Sequence, residues 1–92
     1  MAKGLSLMTA EEIVEDFNKY AMYQVLKESK KRYKIKDMQS YDVFTVKKKD
    51  WYQNIIRYWV EEILTGNENL TFKEYAKIYT MLNTLEKAVN NA

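Results

Sequence analysis

Apolar residues recur at helical spacing in three stretches of the chain, residues 9–31, 50–65 and 71–89. The first stretch opens with Thr9 and Glu12, which have the three-residue spacing of a capping box. In such a box each side chain accepts a hydrogen bond from a free backbone amide at the helix start. The pattern therefore predicts three principal helices.

The middle stretch holds both tryptophans and is apolar over the widest arc. At about 100° per residue, its apolar side chains cover roughly two thirds of the helix circumference. Asp50 is placed to cap its start, and Gly66 follows its end. A helix with so wide an apolar arc is covered from more than one side. We therefore predict an all-α, single-domain bundle in which this central helix is buried, and a homodimer that completes its cover.

The third stretch begins with Thr71 and Glu74, which repeat the capping-box spacing. Because only a short polar turn precedes it, the second and third helices are expected to be antiparallel neighbours or a bent pair. The same arrangement satisfies the loose pattern of a helix-turn-helix. Any helical hairpin with a capped second helix does so too, and this motif is therefore a weak signal.

Residues 33–46 are the part of the chain that the helical pattern does not explain. The run 41–46 is rich in residues that favour strands, and the turn-like segment 37–40 could join it to Tyr33 and Ile35 in a hairpin. A lone hairpin is marginally stable unless it packs on helices. We predict an ordered connection that can include a short β-hairpin, within an otherwise helical domain.

Length and composition are those of one small globular domain. The 92 residues, 47% apolar and 30% charged, allow one modest core. Residues 1–8 are expected to form a loose arm, and residues 90–92 a frayed tail. No apolar run reaches the length of a membrane span, and the N-terminus lacks the apolar region of a signal peptide. The expected location is cytoplasmic, in a bacterial or host-cell cytosol.

The residue types present argue against catalysis. The chain has no cysteine and no histidine, which removes thiolate chemistry and the commonest general base and transition-metal ligand. The adjacent pairs Glu11–Glu12 and Glu61–Glu62 would point about 100° apart on a helix and would not form a catalytic dyad. Two glycines do not make a phosphate-binding loop. We predict a non-enzymatic protein with no cofactor, no metal and no small-molecule substrate.

Positive charge is concentrated in residues 27–49. This block carries nine basic and three acidic residues, a net charge of +6, whereas the remainder of the chain carries −4. Lysines interleaved with aromatic rings suit a groove that follows a phosphate backbone and stacks bases. The candidate residues for nucleic acid or another anionic partner are Lys30, Lys31, Arg32, Tyr33, Lys34, Lys36, Lys47, Lys48 and Lys49.

The basic block supports two readings. In the first, the protein docks on nucleic acid or a nucleoprotein complex and could act there as an inhibitor. Recognition would be independent of sequence, because only two arginines are available for bidentate base contacts. In the second, the lysines belong to a solvated connection and serve only solubility.

The second reading leaves function to apolar contacts. On a helix, Met22, Leu26 and Tyr33 would share a face, and this strip could bind a protein partner as in an assembly factor or an inhibitor. The same residues could equally pack within the monomer or a dimer. In size and composition the chain resembles the small helical accessory proteins of phages and mobile elements, although no specific motif carries that resemblance.

Overall fold

The computed structural model describes residues 8–66 and 69–91. The arm predicted for residues 1–8 therefore lies almost entirely outside the described residues. The elements in chain order are α1 Ala10–Tyr20, β1 Tyr23–Glu28, β2 Arg32–Asp37, β3 Val43–Lys47, α2 Lys48–Thr65 and α3 Phe72–Asn90. The fold is thus α+β, with three helices and a three-stranded antiparallel sheet, and the prediction of an all-α bundle is wrong.

The start of α1 is the predicted one. Thr9 Oγ1 accepts a hydrogen bond from the Glu12 amide at 3.2 Å, and Glu12 Oε1 accepts one from the Thr9 amide at 3.2 Å. The helix ends at Tyr20, however, and does not continue to residue 31. Met22 adopts the left-handed conformation with φ 62° and turns the chain into β1. The second half of the predicted first helix is therefore a strand.

The sheet is a meander in the order β1-β2-β3. In its middle strand, buried and exposed side chains alternate. Tyr33 and Ile35 are 3% and 0% exposed, whereas Arg32, Lys34 and Lys36 face outward. On β3, Phe44 and Val46 take the matching inward positions. Side chains of period two line one face of a sheet. The hairpin proposed for residues 33–46 is present as β2 and β3, but β1 makes it part of a larger sheet.

The pairing of β1 with β2 contains a β-bulge. Val25 pairs with Ile35, but the next pair is Lys27 with Lys34, and Leu26 is therefore an extra residue in β1. Such a bulge places two residues of one strand opposite one residue of its neighbour and increases the local twist. Its effect here is to bring the Lys27 side chain to the same side of the sheet as Lys34.

All three helices contribute to a core on the inner side of the sheet. The core residues shared by helices and strands are Ile13, Val14, Phe17, Tyr33, Ile35, Trp51, Tyr52, Ile55, Met81 and Leu85. Aromatic rings join the layers: Trp51 lies 6.2 Å from Phe17 and 5.1 Å from Tyr23, centroid to centroid, in edge-to-face contacts. Within the described ranges no element covers the opposite side of the sheet, and most of its side chains are exposed.

The boundaries of α2 differ from the prediction at one end. The helix begins at Lys48, and its N-cap is Lys47, whose side chain makes no capping hydrogen bond; Asp50 lies within the first turn. Gly66, with φ 62°, ends the helix as predicted. Trp51, Tyr52 and Ile55 in the first half of α2 are buried in the core that the helices share with the sheet, whereas Leu64 near the end of α2 is 79% exposed. The sheet thus supplies cover for α2 that we had expected from a second copy, and the dimer itself stays a prediction.

The start of α3 confirms the second capping box. Thr71 Oγ1 accepts a hydrogen bond from the Glu74 amide at 3.2 Å, and Glu74 Oε1 accepts one from the Thr71 amide at 3.2 Å. No helix in the described ranges combines the length and the apolar character that crossing a lipid bilayer requires.

Candidate functional site

The outward positions of the sheet carry a cluster of positive charge. The strand register places five basic side chains on this side, together with Gln24, Val43 and Thr45. We call these five residues the outer basic face: Lys27, Arg32, Lys34, Lys36 and Lys47. All of them are exposed except Lys36, which is partly buried.

Two pairs of like charges stand directly opposite each other on this face. Lys27 pairs with Lys34 across β1 and β2, and Arg32 pairs with Lys47 across β2 and β3. Like charges at opposed positions of a sheet are destabilising. None of the five residues of the outer basic face takes part in an ion pair with another described residue. The positive charge of the outer basic face is therefore available to an external anion.

A cavity of about 650 Å³ adjoins this face. Six basic residues contribute to its lining: Lys30, Lys31, Arg32, Lys47, Lys48 and Lys49. We call it the basic cavity. The Lys48 amide donates a 2.8 Å hydrogen bond to the Lys31 carbonyl and so fixes the start of α2 beside the β1–β2 turn. Because Arg32 and Lys47 belong to both regions, the outer basic face and the basic cavity form one continuous basic surface.

Lys48 differs from the other lysines of the cavity. Its ammonium lies 2.6 Å from Glu28 Oε2 and 5.2 Å from the centroid of the Tyr33 ring, and its side chain is 16% exposed. A partly buried lysine with a carboxylate and an aromatic ring as partners is held in place. Lys48 therefore contributes to the fold more than to the free charge of the surface.

Tyr33 is in the core and cannot serve as the stacking ring that the sequence suggested. Its side chain is 3% exposed. Burial raises the pKa of Tyr33 far above its ordinary value, and the charge and hydrogen bond of the neighbouring Tyr52 hydroxyl raise it further. The hydroxyl therefore stays protonated, and its ring packs inside the protein.

The apolar strip proposed from helical spacing does not exist in this fold. Met22 lies in the turn between α1 and β1, and Leu26 is the extra residue of the bulge; they are 50% and 44% exposed. Tyr33 is on the inner side of β2. Since the three residues lie on strands and a turn, the periodicity that grouped them does not apply. Met22 and Leu26 remain candidate contacts for a protein partner, without Tyr33.

Two residues on or beside the outer basic face were not among the candidates that the sequence suggested. Lys27 belongs to the outer basic face because of the bulge, which sequence alone did not predict. Tyr41 lies in the β2–β3 turn, is 69% exposed, and has its ring centroid 5.3 Å from the Lys36 ammonium. In the sequence, the only indication of an exposed ring at Tyr41 is its position directly after the turn-like segment 37–40.

The weaker candidates gain no support from the structure. On α3, the Thr80 hydroxyl donates a 3.0 Å hydrogen bond to the Ala76 carbonyl, and the Thr84 hydroxyl donates a 3.1 Å hydrogen bond to the Thr80 carbonyl. Neither hydroxyl is therefore free to donate to DNA in a helix-turn-helix contact. Among the residues that the structure describes, no group of three or more acidic side chains is placed to hold a metal ion.

Comparison of the chain with protein-family models, with curated proteins and with solved structures finds no match.

Proposed function

We propose that this protein is a non-enzymatic nucleic-acid-binding protein that contacts the phosphate backbone through the outer basic face and the adjoining basic cavity. The observation that carries the proposal is the opposition of Lys27 to Lys34 and of Arg32 to Lys47 on the side of the sheet that no described element covers. These pairs reduce the stability of the free protein. A polyanion that lies between them converts the repulsion into attraction.

The spacing of the charges suits a repeating anion. Arg32, Lys34 and Lys36 occupy alternate positions of β2, and alternate residues of a strand are roughly 6.6–6.8 Å apart. Their side chains point to the same side, as successive phosphates of a nucleic-acid strand require. Lys27 and Lys47 flank this row on the neighbouring strands and widen it into a surface.

The chemistry of the surface favours binding that does not depend on base sequence. Lysine binds phosphate as a point charge, whereas arginine provides most bidentate contacts to guanine. Of the two arginines in the chain, only Arg32 lies on the outer basic face. The target can be free nucleic acid or the nucleic acid of a nucleoprotein complex, where occupation of the backbone would exclude other proteins.

The proposal is tested by a titration with fluorescently labelled DNA and RNA, single-stranded and duplex, followed by anisotropy. Five phosphate contacts would give a salt slope of roughly −4.5 on duplex DNA, which lowers affinity roughly 500-fold between about 50 and about 200 mM salt. The test variant is Lys27→Glu with Lys34→Glu, since both side chains are exposed on the outer basic face and neither is in an ion pair within the described ranges. Lys48 is unsuitable because its loss would break the contact with Glu28.

A matched control separates the local surface from overall charge. The double variant Lys73→Glu, Lys77→Glu changes the net charge by the same amount as the test variant. Its two residues are also exposed, but they lie on α3 and not on the sheet. We expect the Lys27/Lys34 variant to lose binding at low salt and the Lys73/Lys77 variant to retain most of it. An equal loss of affinity in both variants would show that binding depends on net charge and not on the outer basic face. A wild-type protein that does not bind nucleic acid at low salt would reject the proposal.

A protein partner is the second candidate function, and one observation favours it. β1 is an edge strand, and Val25 and Leu26 on it are 38% and 44% exposed. Exposed strand edges can accept a strand from a partner. The bulge at Leu26 interrupts the edge, however, and bulges are a common protection against such pairing. Binding that survives high salt and is lost in Leu26→Asp would support this candidate over the first.

A further inference from the structure

The β2–β3 turn holds an aromatic ring in an unfavourable backbone conformation. Tyr41 has φ 63°, in the left-handed region that bulky residues rarely adopt. The turn is fixed by hydrogen bonds, from the Tyr41 amide to the Asp37 carbonyl at 2.7 Å, from the Asp37 amide to the Asp42 carbonyl at 2.8 Å, and from the Gln39 amide to Asp37 Oδ1 at 2.8 Å. Such conformations persist where the surrounding structure over-determines them, and they cluster at functional sites.

The conformation does not serve packing of the Tyr41 side chain. The ring is 69% exposed, and among the described residues its partner is the Lys36 ammonium, 5.3 Å from the ring centroid. Lys36 belongs to the outer basic face, and the ring therefore stands at the end of that face. A cation over one side of an aromatic ring leaves the other side for a planar group.

We infer that Tyr41 is a stacking platform for an unpaired base and that the protein therefore prefers single-stranded nucleic acid. This inference rests on the proposed function and deepens it. Bases in a duplex are stacked on each other and cannot be reached by an exposed ring, whereas a single strand offers every base face. The outer basic face holds the backbone, and the ring at its end receives the base.

The charges around the turn agree with this division of roles. Asp37 and Asp42 flank the turn, where carboxylates would repel a phosphate. A base is uncharged and meets no such repulsion. The backbone contacts therefore belong to the lysines and Arg32 along the strands, and the base contact belongs to Tyr41.

The test compares Tyr41→Asn, Tyr41→Phe and wild type on a labelled single strand and on the matched duplex, at low salt. Asparagine tolerates the left-handed conformation, so Tyr41→Asn removes the ring without disturbing the turn. We expect Tyr41→Asn to weaken single-strand binding by roughly five- to 140-fold, with the salt slope and the duplex affinity unchanged. Tyr41→Phe keeps the ring and should bind as wild type does.

Tyr79→Ala is the matched control, because it removes an exposed tyrosine on α3, outside the sheet. Single-strand affinity that is unchanged in Tyr41→Asn, or that falls equally in Tyr79→Ala, overturns the stacking role while salt-dependent binding stands. An equal loss of duplex affinity in Tyr41→Asn overturns it as well, since a base platform contributes nothing to a duplex. A wild-type protein that binds neither form overturns the proposed function and this inference together.

Discussion

The indole N–H of Trp51 donates a buried 3.0 Å hydrogen bond to Asn18 Oδ1 and thereby ties α2 to α1. Asn18 is 5% exposed and is the one buried polar residue among residues 8–66 and 69–91. A buried amide is tolerated in a core when its polar atoms are paired. The contact joins residues distant in sequence and helps to fix how α1 and α2 lie over the sheet.

Asn18→Ala should lower the free energy of unfolding by about 1–3 kcal/mol, because it leaves the Trp51 indole N–H buried without a partner. The measurement is urea denaturation followed by circular dichroism. Asn83→Ala, at an exposed position of α3, should change stability by less than about 0.5 kcal/mol. If the two variants are equally stable, the hydrogen bond contributes nothing specific.

Ile35→Ala should be among the most damaging changes in the sheet. Ile35 is fully buried in the central strand, and an Ile→Ala change at such a position costs about 2–5 kcal/mol. Ile35→Val, at about 0.5–1.5 kcal/mol, keeps the test interpretable if the alanine variant does not fold. Val43→Ala, at a half-exposed outward position of the neighbouring strand, is the control in the same denaturation experiment. A larger loss in Val43→Ala than in Ile35→Ala would contradict the assigned faces of the sheet.

Glu74 should make the stability of α3 depend on acid pH. Hydrogen bonds from the backbone and side chain of Thr71 lower the pKa of Glu74 below its ordinary value of 4.5. A lowered folded-state pKa means that the stabilisation is fully present above the unfolded-state pKa and is lost as the pH falls through the folded-state pKa. Glu74→Gln removes the charge but keeps a side chain that can complete the capping box.

We therefore expect the wild-type protein to unfold at a higher urea concentration than Glu74→Gln at neutral pH. The difference between the two midpoints, here called the gap, should disappear as the pH is lowered. The same comparison in a Thr71→Ala background is the control, because that change removes the hydrogen bond from the Thr71 side chain but keeps the one from the backbone amide, and the gap should therefore narrow without vanishing. A gap that persists at low pH, or that is no narrower in the Thr71→Ala background, would show that another interaction is responsible.

Lys34→Glu should separate stability from binding. It replaces the repulsion between Lys34 and Lys27 with attraction across the strands and should raise the free energy of unfolding by about 0.2–1 kcal/mol at low salt. It should also weaken nucleic-acid binding and reduce the salt slope by roughly 1–2 units. Denaturation and anisotropy titrations on one preparation measure both effects. A variant that is less stable than wild type would contradict the proposed repulsion.

The helix starts of α1 and α3 could be predicted from the sequence because a capping box is a local signal. Thr9 with Glu12 and Thr71 with Glu74 act through atoms three residues apart. The end of α1 could not be predicted in this way, since β1 is stabilised by pairing with β2, a contact made only in the folded chain. Met22 and Leu26 have helical spacing in the sequence, but the non-local pairing of β1 with β2 decided the conformation of this segment.

Apolar and basic residues alternate along β2, and this pattern is visible in the sequence. The sequence analysis nevertheless treated the basic residues as one block of positive charge and did not assign them to one face of a strand. In RYKIKD the buried Tyr33 and Ile35 alternate with Arg32, Lys34 and Lys36, which is the pattern of a half-buried strand. The composition of the basic surface was thus predictable, whereas its arrangement was not. Lys27 in particular depends on the bulge: if the pairing stayed regular after Val25, Leu26 would pair with Lys34, and Lys27 would pair with Tyr33 and point into the core.

The meander order of the strands has a consequence for folding kinetics. β1 pairs with β2 and β2 with β3, so each strand finds its partner across a short turn. Folding is faster when contacting residues are close in sequence, because less loop-closure entropy is lost before contacts form. The contacts between α1 and α3 join parts of the chain that are far apart in sequence, and they should therefore form late.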